Sequence, residues 1–312
     1  MEKDLFSELN ISHKPALELL QKMGYTYLSP DECILQRGSL YNVLLKGVLR
    51  EQLKKLNRFN YDNLEGEFSS ANIEKAIEDL DEPLTDGLVK TSEKIYDALL
   101  LGKSYPEIVG SGKVQNFNLK YIDWENIENN VFHVTEEYQV ESVDKQHNVR
   151  PDIVLFVNGI PFAVIECKKS DVSADQGIEQ TIRNQKAEYI PHLYKYVQIV
   201  VSTNKNNVKY ATTNTPKKFW SIWKEQDCVF LDNAIEKYIT GRVATVQDKN
   251  IISLFTKERL LELTKYFVLF DANVKKICRY QQYFAVKEII KTIDQDDEHG
   301  NKIGRASCRE RV

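Results

Sequence analysis

The chain has 312 residues, a formal net charge of −4, 42% hydrophobic and 28% charged residues, and only 13 Gly and 8 Pro. That composition is globular and excludes a wholly disordered, collagen-like or low-complexity chain; the length predicts about two domains. Apolar runs such as 266–270 (YFVLF) fall short of the ~18–20 residues that span a bilayer, and no apolar run follows the N-terminal MEKDLF, so neither a membrane span nor a secretory leader is expected.

Residues 9–24 (LNISHKPALELLQKMG) carry a helical apolar period, with Ser12 as the candidate cap of a helix over 14–23. Residues 41–56, 70–80 and 91–101 repeat that period, with turns at 81–87 (DEPLTDG) and 110–112. The first 105 residues are therefore expected to be mostly helical. The pattern then changes to period two. Strands are predicted over 131–140, 153–157 and 160–167, the last two joined through Asn158-Gly159, a strong hairpin signal. A helix over 174–189 and strands over 197–201 and 208–213 follow. The order strand, strand, strand, helix, strand predicts a mixed α/β core. Residues 219–241 read as helical, 245–250 as a polar linker, 256–270 and 281–293 as further helices, and the acidic 294–299 as exposed.

Five cysteines, Cys33, Cys167, Cys228, Cys278 and Cys308, form no CxxC pair and are not bracketed by histidines, so neither a zinc site nor a disulfide framework is expected and the cytoplasm is the expected compartment. Residues 303–312 (IGRASCRERV) back-translate to a sequence resembling a sequencing-library adapter. They are excluded from fold reasoning. Arg305, Arg309, Arg311 and Glu310 contribute +2, which leaves −6 for the rest, and the chain is expected to be a fragment of a longer protein.

Acids flank the predicted hairpin. Asp152 precedes its first strand, and Glu166-Cys167-Lys168 ends its second. Two carboxylates and the Cys167 carbonyl can hold a hard Mg²⁺ ion, and Lys168 beside them suits phosphodiester cleavage, where charge develops on phosphate and on an attacking water. Register decides whether they meet. With a plain two-residue loop at Asn158-Gly159, Asp152 pairs with Ile165 and Glu166 points to the opposite face. With a three-residue loop and Gly159 in a left-handed bulge, Asp152 faces Val164, Glu166 lies diagonal and Lys168 shares their face. On spacing alone, a solvated Glu and Lys at a strand end fits as well. Residues 195–224 hold six lysines and no acid, interleaved with Tyr196, Tyr210, Phe219, Trp220 and Trp223. Lys205, Lys209, Lys217 and Lys218 are candidates for contact with DNA phosphates; a lysine face over an aromatic core is the plainer alternative.

Residues 150–168 (RPDIVLFVNGIPFAVIECK) resemble the nuclease motif of the restriction (R) subunit of type I restriction–modification enzymes, a family within the PD-(D/E)xK nuclease superfamily. Residues 92–100 (SEKIYDALL), 121–125 (YIDWE), 129–137 (NNVFHVTEE), 182–191 (IRNQKAEYIP) and 209–223 (KYATTNTPKKFWSIW) are similar to the same subunit, so the resemblance covers about residues 9–302. It implies that Asp152 and Glu166 bind Mg²⁺ and that Lys168 orients the attacking water. Gln185 and Tyr189 match the family's Q-x-x-x-Y element and would support DNA or the metal site. An upstream third acid would be Glu51 or Glu137. Residues 279–286 (RYQQYFAV) resemble the segment that opens the family's superfamily 2 helicase motor, where Gln282 would contact the adenine of ATP. No G-x-x-x-x-G-K-S/T loop occurs, so the motor is expected to be truncated before it.

The fold class this implies is α/β: a helical N-terminal region (1–105), a mixed-sheet PD-(D/E)xK restriction-endonuclease-like core (106–244), and a linker with the first helices of a truncated helicase domain (245–302). The implied activity is type I site-specific deoxyribonuclease, with Mg²⁺ as cofactor and with ATP-driven translocation in the full-length subunit. Implied partners are double-stranded DNA and the methyltransferase (modification) and specificity subunits. A standalone Mg²⁺ nuclease without a motor, and a non-catalytic scaffold docking a motor onto a methyltransferase, remain alternatives.

Overall fold

The computed structural model describes residues 12–110 and 112–294. The expected adapter segment 303–312 and residues 295–299 of the acidic stretch lie outside the described residues. In chain order the strands are β1 (Thr26–Tyr27), the hairpin β2 (Arg58–Tyr61) and β3 (Leu64–Glu67), the hairpin β4 (Lys103–Val109) and β5 (Lys113–Leu119), β6 (Phe132–Glu136), the short pair β7 (Val140–Glu141) and β8 (Asn148–Val149), β9 (Ile153–Val157), β10 (Ile160–Cys167), β11 (Ile199–Asn204), β12 (Asn207–Ala211), and the hairpin β13 (Val268–Asp271) and β14 (Val274–Ile277). Six of them build one mixed sheet in the order β1-β6-β9-β10-β11-β12. β1 runs parallel to β6 and β10 parallel to β11; the remaining neighbours are antiparallel. The mixed α/β class is therefore as the sequence implies.

β9 and β10 sit at the centre, and every residue of both is buried. Their continuous apolar runs suit strands covered on both faces. Asn158 and Gly159 join them as a two-residue turn with φ of 51° and 83°. Both values lie in the left-handed region that such a turn requires. Asn158 tolerates it because its side chain is fully used. Its Oδ1 accepts from the Val131 N–H (2.8 Å), and its Nδ2 donates to the Tyr121 carbonyl (3.0 Å) and to Asn130 Oδ1 (2.8 Å). Gly159 also meets a close approach, since a Cβ there would lie 2.7 Å from the Leu45 carbonyl oxygen and 2.9 Å from the Leu49 nitrogen.

Helices Lys14–Lys22, Lys46–Leu56, Ser70–Leu80 and Leu88–Leu101 answer the predicted N-terminal periods. Ser12 is not the cap of the first. Its hydroxyl instead accepts from Gln247 Nε2 at 2.9 Å. The first 105 residues are also less helical than expected, because they contain β2–β3 and the start of β4. The strands of β2–β3 are largely exposed and polar, so no period-two apolar signal marks them. Asp62 and Asn63 take the left-handed turn positions in place of Asn-Gly. Residues 245–250 are not a linker. Thr245 caps the helix Val246–Phe255 through a reciprocal bond with Asp248, and most of that helix is buried against the helix Lys14–Lys22 and β12. One apolar core runs from Ala16 to Tyr283. β1 from the first predicted segment and the helix Val246–Phe255 from the third both build onto the central sheet, so the segments 1–105, 106–244 and 245–302 share that core. Among the described residues, no helix is long and apolar enough to cross a membrane.

Candidate active site

The β9–β10 register changes once along its length. Val157 faces Ile160 and Phe156 faces Pro161, but Leu155 faces Ala163, with Phe162 as the extra residue. Proline has no N–H to give to the ladder, and strands carry it at such irregularities. Beyond the shift Val154 faces Val164 and Ile153 faces Ile165. One step further in the same register sets Asp152 opposite Glu166, on one face of the hairpin. The expected bulge at Gly159 is thus replaced by a plain two-residue turn and a bulge at Pro161–Phe162. With the irregularity displaced, both carboxylates still come within 3.8 Å of the same ammonium, that of Lys168.

Asp152 Oδ2 accepts from the Cys167 N–H at 2.7 Å. Lys168 Nζ donates to the Cys167 carbonyl at 2.9 Å and lies 3.8 Å from both Asp152 Oδ2 and Glu166 Oε2. The Lys168 N–H donates to the Thr203 carbonyl at 2.7 Å, tying the end of β10 to β11. Glu166 is fully buried, while the Asp152 side chain is 21% exposed. The site is therefore closed on the Glu166 side and open toward Asp152. The helix Ala174–Asn184 covers the Glu166 side. Gly177 permits the approach, because a Cβ there would lie 3.3 Å from Glu166 Cβ and 2.3 Å from Ser202 Oγ. Burial, then the Asp152 charge, hold the Cys167 thiol well above the usual thiol range, so it is an inert side chain. Burial and the nearby Glu166 charge likewise push up the Tyr194 hydroxyl.

Three oxygens, from Asp152, Glu166 and the Cys167 carbonyl, surround one ammonium. A donor set that already gathers around a positive charge fits a small hard cation. Among the described residues, no group of three or more His, Cys, Asp or Glu side chains could hold a metal ion.

The other expected site residues divide. The helix ends at Asn184, so Gln185 and Tyr189 do not share a helical face. The short turn 185–189 follows, and the next helix starts at Pro191. Gln185 is nearly buried and clips two segments together, its Nε2 donating to the Thr181 carbonyl (3.0 Å) and its Oε1 accepting from the Asn214 N–H (2.6 Å). Tyr189 lies under the Arg183 guanidinium, 5.6 Å from the ring centre. Glu137 adjoins Asp152 through its N–H to the Asp152 carbonyl (2.8 Å), with its carboxylate 3.4 Å from Arg150. Glu51 pairs with Lys54 on a helix that abuts Gly159, the opposite end of the hairpin. The site end therefore holds Glu137 and not Glu51.

The lysines do not form one face. Lys195 is buried against Asp81 at 2.8 Å. Lys209 pairs with Asp175 at 2.7 Å, and Lys217 pairs with Glu179 at 2.6 Å. Asp175 and Glu179 come from the helix Ala174–Asn184, outside the acid-free stretch 195–224. Lys205 and Lys218 are exposed. Gln282 opens the helix Tyr280–Asp294, where its Oε1 accepts from the Arg279 N–H at 2.9 Å. Gly177, Ser202 and Tyr194 were not singled out by the sequence. A glycine inside an otherwise amphipathic helical run is the one signal that pointed to close packing there.

A family model described as type I restriction enzyme R protein N terminus matches residues 5–219. The MjaIXP protein of Methanocaldococcus jannaschii, provisionally named a type I restriction enzyme endonuclease subunit, is 28% identical over 290 residues, covering 88% of this chain and 27% of its own. The type I restriction enzyme HindI endonuclease subunit of Haemophilus influenzae is 25% identical over 308 residues, covering 92% and 27%. The type I restriction enzyme EcoprrI endonuclease subunit of Escherichia coli is 26% identical over 279 residues, covering 88% and 79%. The chain thus spans about a quarter of the length of the first two relatives.

Proposed function

The chain belongs to the type I restriction enzyme R protein N-terminus family, and from that premise we propose that it carries the Mg²⁺-dependent, PD-(D/E)xK-type nuclease of a restriction subunit, hydrolysing DNA phosphodiester bonds. One observation carries the reading. Two carboxylates gather at the end of a buried hairpin, with the Lys168 ammonium 3.8 Å from both. Asp152, Glu166 and the Cys167 carbonyl would hold the metal, which supplies Lewis-acid polarisation of the phosphate and of a bound water. The protein's own contribution is positional. The Cys167 N–H fixes the Asp152 carboxylate, while burial under Gly177 keeps water from the Glu166 side. Lys168, tethered through its backbone to β11, offers an ammonium to the attacking water and to charge growing on the phosphate. Gln185 would act by holding the segment after the covering helix in place, and Tyr189 by presenting its ring beside Arg183.

In the longer protein we propose that cleavage is coupled to ATP-driven translocation. Gln282 would contact adenine, and the methyltransferase and specificity subunits would choose the DNA. Lys205 and Lys218, with Lys209 and Lys217 once their acidic partners yield to phosphate, would hold the duplex. The test is restriction and translocation by the assembled complex carrying Glu166→Gln or Lys168→Ala. Cleavage falls by about 100-fold or more while translocation continues. Undiminished cleavage would remove the nuclease reading and leave a scaffold. Chelation with EDTA abolishes cleavage in the parent, and added Mg²⁺ restores it.

A further inference from the structure

A pocket of about 700 Å³ opens between residues 41–43, the turn 81–88 and the start of the helix Pro191–Tyr194, and none of Asp152, Glu166 and Lys168 lines it. That volume falls within the range that encloses small organic ligands. Val43, Pro83, Leu84, Leu88 and Val143 give it apolar walls. His192 also lines it. The ring is only 5% exposed, and neither of its nitrogens has a hydrogen-bond partner among the described residues. A buried polar group in that state is a place where a partner is owed. Burial, then the Lys195 charge, hold the imidazole neutral at pH 7, with its pKa lowered to about 4. A neutral imidazole offers one N–H donor and one nitrogen acceptor. Tyr41 lies flat against it, 4.4 Å between ring centres and 14° between planes.

The charged groups lining the pocket are already committed to each other. Lys195 Nζ donates to Asp81 Oδ1 (2.8 Å) and to the Glu82 carbonyl (2.6 Å), and the Tyr196 hydroxyl donates to the same Asp81 Oδ1 (2.8 Å). Asp81 Oδ2 accepts none of these bonds and remains an acceptor for a ligand. An anionic ligand would therefore meet a carboxylate without an uncommitted cation among the described lining residues. What fits is a flat, uncharged ring with donors and acceptors on its edge. Its body packs on the apolar walls and the Tyr41–His192 pair, its edge answers the two imidazole nitrogens, and an amino group donates to Asp81. Nucleobases combine these features. We propose that this pocket binds an uncharged nucleobase, either as a free nucleoside or as a base extruded from DNA. The proposal rests on the pocket's own groups, independently of the nuclease reading.

The probe is the fluorescent base 2-aminopurine, whose emission falls when it stacks on an aromatic ring. It is titrated against the 312-residue chain in EDTA, as its riboside and as one unpaired base in a DNA duplex. Saturable quenching of either is expected. Quenching of the riboside assigns the pocket to free nucleosides, and quenching of the duplex alone assigns it to extruded bases. His192→Phe removes both nitrogens and keeps an aromatic ring, and it weakens binding about tenfold, as the loss of one or two neutral hydrogen bonds does. Val143→Trp fills the pocket from its exposed rim and abolishes binding without touching His192. The urea midpoint of each variant shows that it is folded. Absence of saturable quenching up to ~1 mM with both probes overturns the proposal. So does quenching that survives both substitutions, which would place the base elsewhere on the chain.

Discussion

A methyl group added at Gly177 would lie 2.3 Å from Ser202 Oγ and 3.3 Å from Glu166 Cβ. Ser202 is buried and its hydroxyl donates to the Ala174 carbonyl, so it has little room to yield. Gly177→Ala is expected to cost about 1–3 kcal/mol, the range of overpacked cores, and to lower cleavage by tilting Glu166; the urea midpoint and a cleavage assay check it. His192 makes the opposite kind of prediction. Its ring stacks on Tyr41 at 4.4 Å, and neither ring nitrogen has a hydrogen-bond partner among the described residues. Burial, with Lys195 nearby, pulls its pKa from 6.5 down to about 4. The unfolded chain therefore takes up the proton first, so stability is present above pH ~6.5 and is lost as pH falls toward ~4, by up to about 3 kcal/mol. His192→Phe is expected to be near neutral at pH 7 and more stable than the parent at pH 4.5, as urea melts at the two pH values would read. That Asp152, Glu166 and Lys168 gather at one end of the hairpin was legible from residue type and family resemblance together, since spacing alone fits a solvated strand end as well. The burial of His192 was not, because a lone histidine in sequence carries no mark of its surroundings.

The hairpin β9–β10 was legible as an element because two apolar runs bracket Asn-Gly. Its phase was not, since one proline moves the irregularity away from the glycine that signals it. The other hairpins escaped for a different reason. β13–β14 turns through Ala272 and Asn273 at positive φ, a pair that no turn rule favours. Asn158 is the element's weak point. Asn158→Ala leaves the Val131 N–H and the Tyr121 carbonyl without that side chain's bonds, removes one of the bonds to Asn130, and is expected to cost about 2–4 kcal/mol, read from the urea midpoint. At the other end of the chain, Thr245→Ala removes the cap of the helix Val246–Phe255 and is expected to cost about 1 kcal/mol.

For the molecule as a whole, the sequence suggested separable segments because composition changes at 245, where the residues turn polar. Polarity there serves a buried helix start instead. Ile251, Ile252, Leu254 and Phe255 are each 1% exposed or less, and Gln247 Nε2 reaches back to Ser12. A chain ended at residue 244 is therefore expected not to fold, giving no cooperative urea transition by circular dichroism, while the intact chain unfolds in one step with fluorescence and circular dichroism coincident.

The extra residue Phe162 opposite the β9 ladder carries a rule for descent. Each residue inserted into or lost from either strand between Asp152 and Glu166 turns one carboxylate to the far side of the sheet. Length changes there are tolerated only in twos, or singly when a second irregularity restores the parity. Divergent copies of this hairpin should differ in span by even numbers far more often than odd. A copy with an odd difference and no compensating bulge should have shed its acids or its activity.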